Sequence, residues 1–171
     1  MERPDEEEVR RRCGEISVVA GVVLVDQFTK AAVPRAGVAG VAPVRNPGLL
    51  LGAVRVPAFA VVAALVVAMV LFVGVVGRLA CRIGVSPVLP ALVAGGMIGN
   101  GLDRALLGAV RDFLPTPFAI INLADITVII GIIGLTVGFA RRVRALRCVT
   151  QTMRPNIAAL GTRVGARQEF R

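Results

Sequence analysis

The twenty residues Ala58–Gly77 carry no charged side chain, and this run constrains the fold more than any other. As a helix it is about 30 Å long, the thickness of a bilayer's hydrocarbon core. In lipid each backbone N–H and C=O must be satisfied within the segment, so a helix is the expected form. Strands of a transmembrane barrel alternate in polarity at every second residue, and this run does not. Three further apolar runs follow the same logic. Ile16–Val33 carries Asp26 and Lys30. A third extends from about Gly84 to Asp103, with Pro87 and Pro90 near its start, and a fourth from about Phe118 to Ala140. Over the whole chain 56% of residues are apolar and the mean hydropathy is +0.77, values of an integral membrane protein. The sequence therefore predicts an all-α integral membrane protein with four transmembrane helices. A small loop region between the first two helices is expected, with room for short β-strands.

Charge sets the expected orientation. Arg3, Arg10, Arg11 and Arg12 precede the first run, Arg78 and Arg82 join the second and third, and Arg141, Arg142, Arg144 and Arg147 follow the fourth. The other two loops hold fewer: Arg35, Arg45 and Arg55 in one, Arg104 and Arg111 in the other. Both termini are thus expected in the cytoplasm, with the loops Pro34–Pro57 and Arg104–Pro117 outside. Residues 1–147 form the expected membrane domain, and 148–171 a polar, disordered cytoplasmic tail. The first run lacks a convincing small-residue cleavage site and reads as an uncleaved span. The net charge of +9 belongs to these flanks, and no aromatic-basic surface accompanies it. That argues against a nucleic-acid partner and for membrane lipids. Cys13, Cys81 and Cys148 fall on the expected cytoplasmic side, where thiols stay reduced, so no disulfide is expected.

The chemistry is narrowed by what the chain lacks. Without His there is no Ser-His or Cys-His nucleophile and no His-ligated metal; no metal or cofactor is expected. Between Glu15 and Glu169 the only carboxylates are Asp26, Asp103, Asp112 and Asp125. An acid at a helix centre in a membrane costs roughly 2.5–3.5 kcal/mol, so four retained acids point to a use. In the expected topology all four, with Lys30, Asn100, Arg104 and Asn122, converge on the outer face.

Asp26 and Lys30 stand at i,i+4, the better order for a helical ion pair. They read as support more than chemistry. Asn46-Pro47-Gly48 reads as a turn. Gly95, Gly96 and Gly99 allow close helix approach, and Asn100, Asp103 and Arg104 cluster at the outer end of that helix. Asp112 and Asp125 are joined by a short loop with Pro115 and Pro117 that can fold one carboxyl beside the other. Two carboxyls within hydrogen-bond reach cannot both ionise readily. They can then divide the work of an aspartic protease, one as base toward water and one as acid toward a carbonyl. The alternative is an ion pair of each aspartate with Arg104 or Arg111.

In this order, Asp26-x-x-x-Lys30, Asn46-x-Gly48, Gly95-Gly-x-x-Gly-Asn100-x-x-Asp103-Arg104, Val110-x-Asp112-Phe113 and Asn122-x-Ala124-Asp125 resemble the lipoprotein signal peptidases, or type II signal peptidases. The resemblance implies a membrane-embedded aspartic endopeptidase of four helices in the bacterial plasma membrane, with its site at the extracytoplasmic face. It implies removal of the signal peptide from diacylglyceryl-modified prolipoproteins, N-terminal to the lipidated Cys, by a monomer. Asp112 and Asp125 match the catalytic pair. Asn100, Arg104 and Asn122 match supporting polar residues, with Asp103 beside them in the third motif. Asp26, Lys30, Asn46 and Gly48 match structural or substrate-positioning motif positions. Two departures stand out: Leu49-Leu50-Leu51 follows the second motif where Ala and an aromatic are common, and Arg111 replaces an apolar residue in the fourth. A divergent paralogue with altered substrate preference is the alternative these leave. A small proton-coupled transporter or a non-catalytic assembly partner are the competing classes.

Overall fold

The computed structural model describes residues 4–37, 40–41, 43–47 and 57–168, with side chains described within 6–148. Helix α1 (Pro4–Ala32) starts well ahead of the expected span. Its polar first turns are stitched by Glu8, which accepts from Arg11 at 2.6 Å and Arg12 at 2.7 Å, the i,i+3 and i,i+4 spacings that meet on a helix. Strand β1 (Val44–Asn46) follows. Helix α2 (Ala58–Leu71) passes into a π-helical turn at Phe72–Gly77 and then into α3 (Arg78–Arg82). The sequence reading of a plain helix over Ala58–Gly77 misses this wider turn. At Gly84 (φ 70°) the chain reverses: the Val85 N–H reaches back to the Ala80 carbonyl at 2.8 Å and the Gly84 N–H to Cys81 at 3.1 Å. This is a Schellman closure, which favours glycine in the left-handed conformation.

Helix α4 (Val88–Leu107) begins after Pro87 and packs against α1, α2 and α5. Strands β2 (Val110–Asp112), β3 (Leu114–Pro115) and β4 (Ile120–Ile121) lie between α4 and α5. The backbone of α5 is helical over Leu123–Gln168, so it runs on where the sequence reading expects an irregular tail from Cys148. The Ala, Arg and Leu residues around that point are strong helix formers.

Among the described residues, three helices are long and apolar enough to cross a membrane: Glu6–Ala36, Phe59–Arg82 and Leu123–Cys148. Together they make a multi-pass membrane protein that is mostly helical with small sheets. The expected count of four is not met on apolarity, because α4 carries Asn100, Asp103 and Arg104 among its glycines. Enclosed by its neighbours, it buries Val93, Ala94, Gly95, Gly96, Gly99 and Asp103 against protein rather than lipid. Large apolar residues are exposed on the other helices, including Leu24, Phe59, Val70 and Ile133, as befits a lipid-facing surface.

The interior changes character along its length. Near the α3–α4 turn, Ala80, Val85, Val93 and Leu135 form an apolar cluster. Toward the other end lie the buried polar side chains, Asp26, Lys30, Asp103, Asp112 and Asn122, among apolar neighbours such as Val110, Phe113 and Ala124. Glycines bring the helices together there. A methyl at Gly96 would lie 2.5 Å from the Ala124 carbonyl oxygen, and one at Gly99 would lie 2.6 Å from Asp26 Oδ2. Because a backbone carbonyl cannot yield as a flexible side chain can, Gly96→Ala is expected to destabilise the protein by about 1–3 kcal/mol. The thermal midpoint in detergent checks this; an unchanged midpoint would mean that α5 does not sit this close.

Candidate active site

The site is built around the first turn of α5. Asn122 stands at its N-cap and Asp125 three residues on. The Asp125 N–H donates to Asn122 Oδ1 at 3.0 Å, and the Asn122 N–H donates to Asp125 Oδ2 at 3.1 Å. This reciprocal pair is a capping box with Asn and Asp in place of the usual Ser and Glu. Asp26 completes the cap from another helix: its Oδ1 accepts the Ala124 N–H at 3.0 Å. The N–H groups of Asn122, Ala124 and Asp125, left without partners by helix geometry, are thus held by side chains of the site itself.

Asp112 arrives by a different route. The β3–β4 hairpin folds the chain back, with Leu114 opposite Ile121. Strand β2 pairs antiparallel with β1, placing Val44 opposite Asp112 and Asn46 opposite Val110. The strand expected between the first two helices therefore finds its partner in the second loop. Asn122 Nδ2 donates to Asp112 Oδ1 at 2.6 Å, and Asn46 Nδ2 to Asp112 Oδ2 at 3.2 Å. Both aspartates are consequently held on Asn122, one by its side-chain amide and one by its backbone N–H. Asp112 is buried and Asp125 half-buried. Burial pushes the Asp112 carboxyl above its ordinary range, against the pull of the Asn122 and Asn46 amides; the nearby Asp125 charge adds to the rise.

Asn100 links the pair to a buried charge cluster. Its Nδ2 donates to Asp125 Oδ1 at 2.8 Å, while its Oδ1 accepts from Lys30 Nζ at 2.8 Å and Asn122 Nδ2 at 3.1 Å. Lys30 also pairs with Asp26 at 2.8 Å and Asp103 at 3.3 Å. The three donors of its ammonium thus reach three acceptors, and the lone lysine of the chain orients the amide that faces Asp125.

Two residues outside the sequence-predicted set complete this cluster. Arg111 donates through Nη2 to Asp103 Oδ1 at 2.6 Å and to Gln27 Oε1 at 2.6 Å. Gln27 Nε2 in turn reaches Asp103 Oδ1, Asp26 Oδ2 and the Gly99 carbonyl, at 3.1–3.3 Å. A polar residue next to Asp26 in an apolar run was the available signal for Gln27. The alternative pairing of Arg111 with Asp112 is not what the structure shows, since Arg111 serves Asp103. Arg104 is half-buried within the influence of Asp112, Asp125 and Asp103. Gly48 and Leu49–Leu51 lie outside the described residues. Among the described residues, no cluster of acids and thiols suits a metal.

Fold and site define a multi-pass helical membrane protein that gathers aspartates, amides and one lysine at one end of its bundle. Residues 18–141 match the family model Peptidase_A8, Signal peptidase (SPase) II, and the chain belongs to that family. It is 37% identical over 131 residues to the lipoprotein signal peptidase of Pelotomaculum thermopropionicum, covering 67% of this chain and 83% of the relative. With the lipoprotein signal peptidase of Trichormus variabilis it is 49% identical over 47 residues, covering 26% and 30%. With that of Methylorubrum extorquens it is 41% identical over 49 residues, covering 26% and 29%. The match thus spans only about three tenths of the length of the latter two relatives. Two solved structures described as bacterial membrane enzymes share the fold, both at 24% identity. One has a TM-score of 0.62 over 74% of this chain and 92% of its own, the other 0.56 over 75% and 88%.

Proposed function

We propose that this protein is an intramembrane aspartic endopeptidase that removes the signal peptide from diacylglyceryl-modified prolipoproteins, N-terminal to the lipidated Cys. The observation that carries the reading is the convergence of Asp112 and Asp125 on Asn122 in a member of the signal peptidase II family. The frame is four spans in residues 1–147, both termini cytoplasmic and the site at the outer face of a bacterial plasma membrane. The enzyme works as a monomer without metal or cofactor.

Asp112, whose buried carboxyl favours the protonated form, donates a hydrogen bond to the scissile carbonyl. Asp125 takes a proton from the attacking water. The tetrahedral intermediate collapses as Asp125 passes that proton to the leaving amine of the lipidated Cys, while Asp112 keeps its own. Asn100 and Asn122 hold the two carboxyls in register, and Arg104 balances their charge. A substrate helix in the bilayer presents its scissile bond near the outer surface, where water is at hand.

The test is cleavage of a diacylglyceryl prolipoprotein by the purified protein in detergent or nanodiscs. A pH profile gives a finer check. If Asp112 must be protonated, activity falls as pH rises through its folded pKa. The Asn46 amide stabilises the ionised form, so Asn46→Ala is expected to raise that pKa and move the alkaline limb of kcat to higher pH. A shift to lower pH would reverse the assigned roles.

A further inference from the structure

A second polar feature lies at the opposite end of the bundle. Arg11 and Asp26 share one continuous helix, about 22 Å apart along its axis. Around Arg11 a cavity of about 520 Å³ opens between α1, the π turn with α3, and α4. Arg11, Arg12, Arg78 and Arg82 stand at it, with Glu15 as its one carboxylate. Glu8 outside the lining binds Arg11 and Arg12, and Glu15 lies 3.6 Å from Arg11. Arg11 also contacts the Cys81 sulfur. Among the described residues, Arg78 and Arg82 have no ion pair, and both are exposed. The rest of the wall is apolar, from Val19 and Val73 to Ala91 and Ala94.

Gly74 and Gly77 explain why the space is open. Small residues in a membrane helix usually admit a neighbouring helix. Here a methyl built on either would meet nothing within 4 Å, although both line the cavity. Their absent side chains, together with the wider π turn, leave a slot running from a cationic mouth along an apolar wall. Anion at one end and hydrocarbon along the other is the shape of a phospholipid. Basic pockets between membrane helices suit anionic headgroups, which the fork of arginine grips well.

We propose that this cavity is a binding site for one anionic phospholipid, its phosphate on Arg78 and Arg82 with Arg12 beside them, and an acyl chain along Gly74, Gly77 and Ala94. The site is separate from the aspartate cluster and stands whether or not the peptidase reading holds.

The probe is phosphatidylglycerol, added to the full-length protein in detergent beside phosphatidylcholine and inorganic phosphate as separate arms. Retained lipid is read by native mass spectrometry, and stabilisation by thermal midpoint. One phosphatidylglycerol is expected to be retained in preference to phosphatidylcholine, with a raised midpoint. Arg78→Gln with Arg82→Gln is expected to cut that preference about tenfold or more, from two lost charge contacts. Gly77→Leu puts a side chain into the slot from a position where an added Cβ meets nothing within 4 Å, and is expected to reduce retention of either lipid. Equal retention of the two lipids overturns the anionic site. Displacement of phosphatidylglycerol by millimolar inorganic phosphate overturns the lipid in favour of a phosphate site. Undiminished retention by a folded Gly77→Leu protein overturns the location, even if the arginine double variant fails to fold.

Discussion

Replacing Asp112 or Asp125 by asparagine is expected to abolish prolipoprotein cleavage while leaving the protein folded in the membrane. Each substitution keeps side-chain size and one carbonyl oxygen. In Asp125→Asn that oxygen can still accept the Asn122 N–H and preserve the capping box. In Asp112→Asn it can still accept the Asn122 side-chain amide. What goes is proton transfer, a contribution of about 10²–10⁴ in rate for one positioned group. Because the two carboxyls are proposed to act as a unit, the double variant is expected to be no slower than either single one. Rates come from single-turnover cleavage of a diacylglyceryl prolipoprotein, and folding from the thermal midpoint. Near-normal cleavage by either single variant would sink the aspartic mechanism. Loss of cleavage with loss of folding would show that the aspartate is needed for structure instead.

Lys30→Met should produce the largest change in stability. The Lys30 side chain is fully buried with Asp26 at 0% and Asp103 at 1% exposure. Removing one member of such a cluster strands its partners, at a cost of about 3–5 kcal/mol. Asp103 keeps Arg111, but Asp26 loses the one cation it pairs with among the described residues. Adding Asp26→Asn to Lys30→Met removes that stranded charge and keeps an acceptor for the Ala124 N–H, so much of the stability should return. Activity is expected to recover less, because Asn100 still lacks the ammonium that turns its Nδ2 toward Asp125. Denaturant melts of the single and double variants measure the first effect, and kcat the second. A Lys30→Met protein as stable as wild type would rule out a stabilising role for the cluster.

Local sequence carried the lipid-facing helices, because each must satisfy its own backbone and show apolar side chains to lipid. Ala58–Gly77, for example, falls within the span Phe59–Arg82 but for its first residue. The Asp26–Lys30 pair was equally readable, since i,i+4 contact depends on helix geometry alone. The less legible features depend on groups far apart in the chain. Helix α4 can carry its polar residues because other helices shield it. The β1–β2 pairing joins two three-residue segments from different loops, too short for their partnership to announce itself. Arg111 looks like a departure in isolation; its reason is Asp103 and Gln27, on two other elements. The π turn at Phe72–Gly77 has no signature beyond its glycines.

The bond from the Ala124 N–H to Asp26 crosses 98 positions of sequence and has a consequence for biosynthesis. A ribosome delivers Asp26 long before it delivers the start of α5. Until that last long helix enters the bilayer, Asp26, Lys30 and Asn100 have no Asn122 or Asp125 to organise. On the proposed function, every partly made chain therefore lacks its cutting centre. Under that proposal, completion of the fold and onset of proteolysis become one event, and a half-inserted chain is spared from acting on the hydrophobic segments emerging around it.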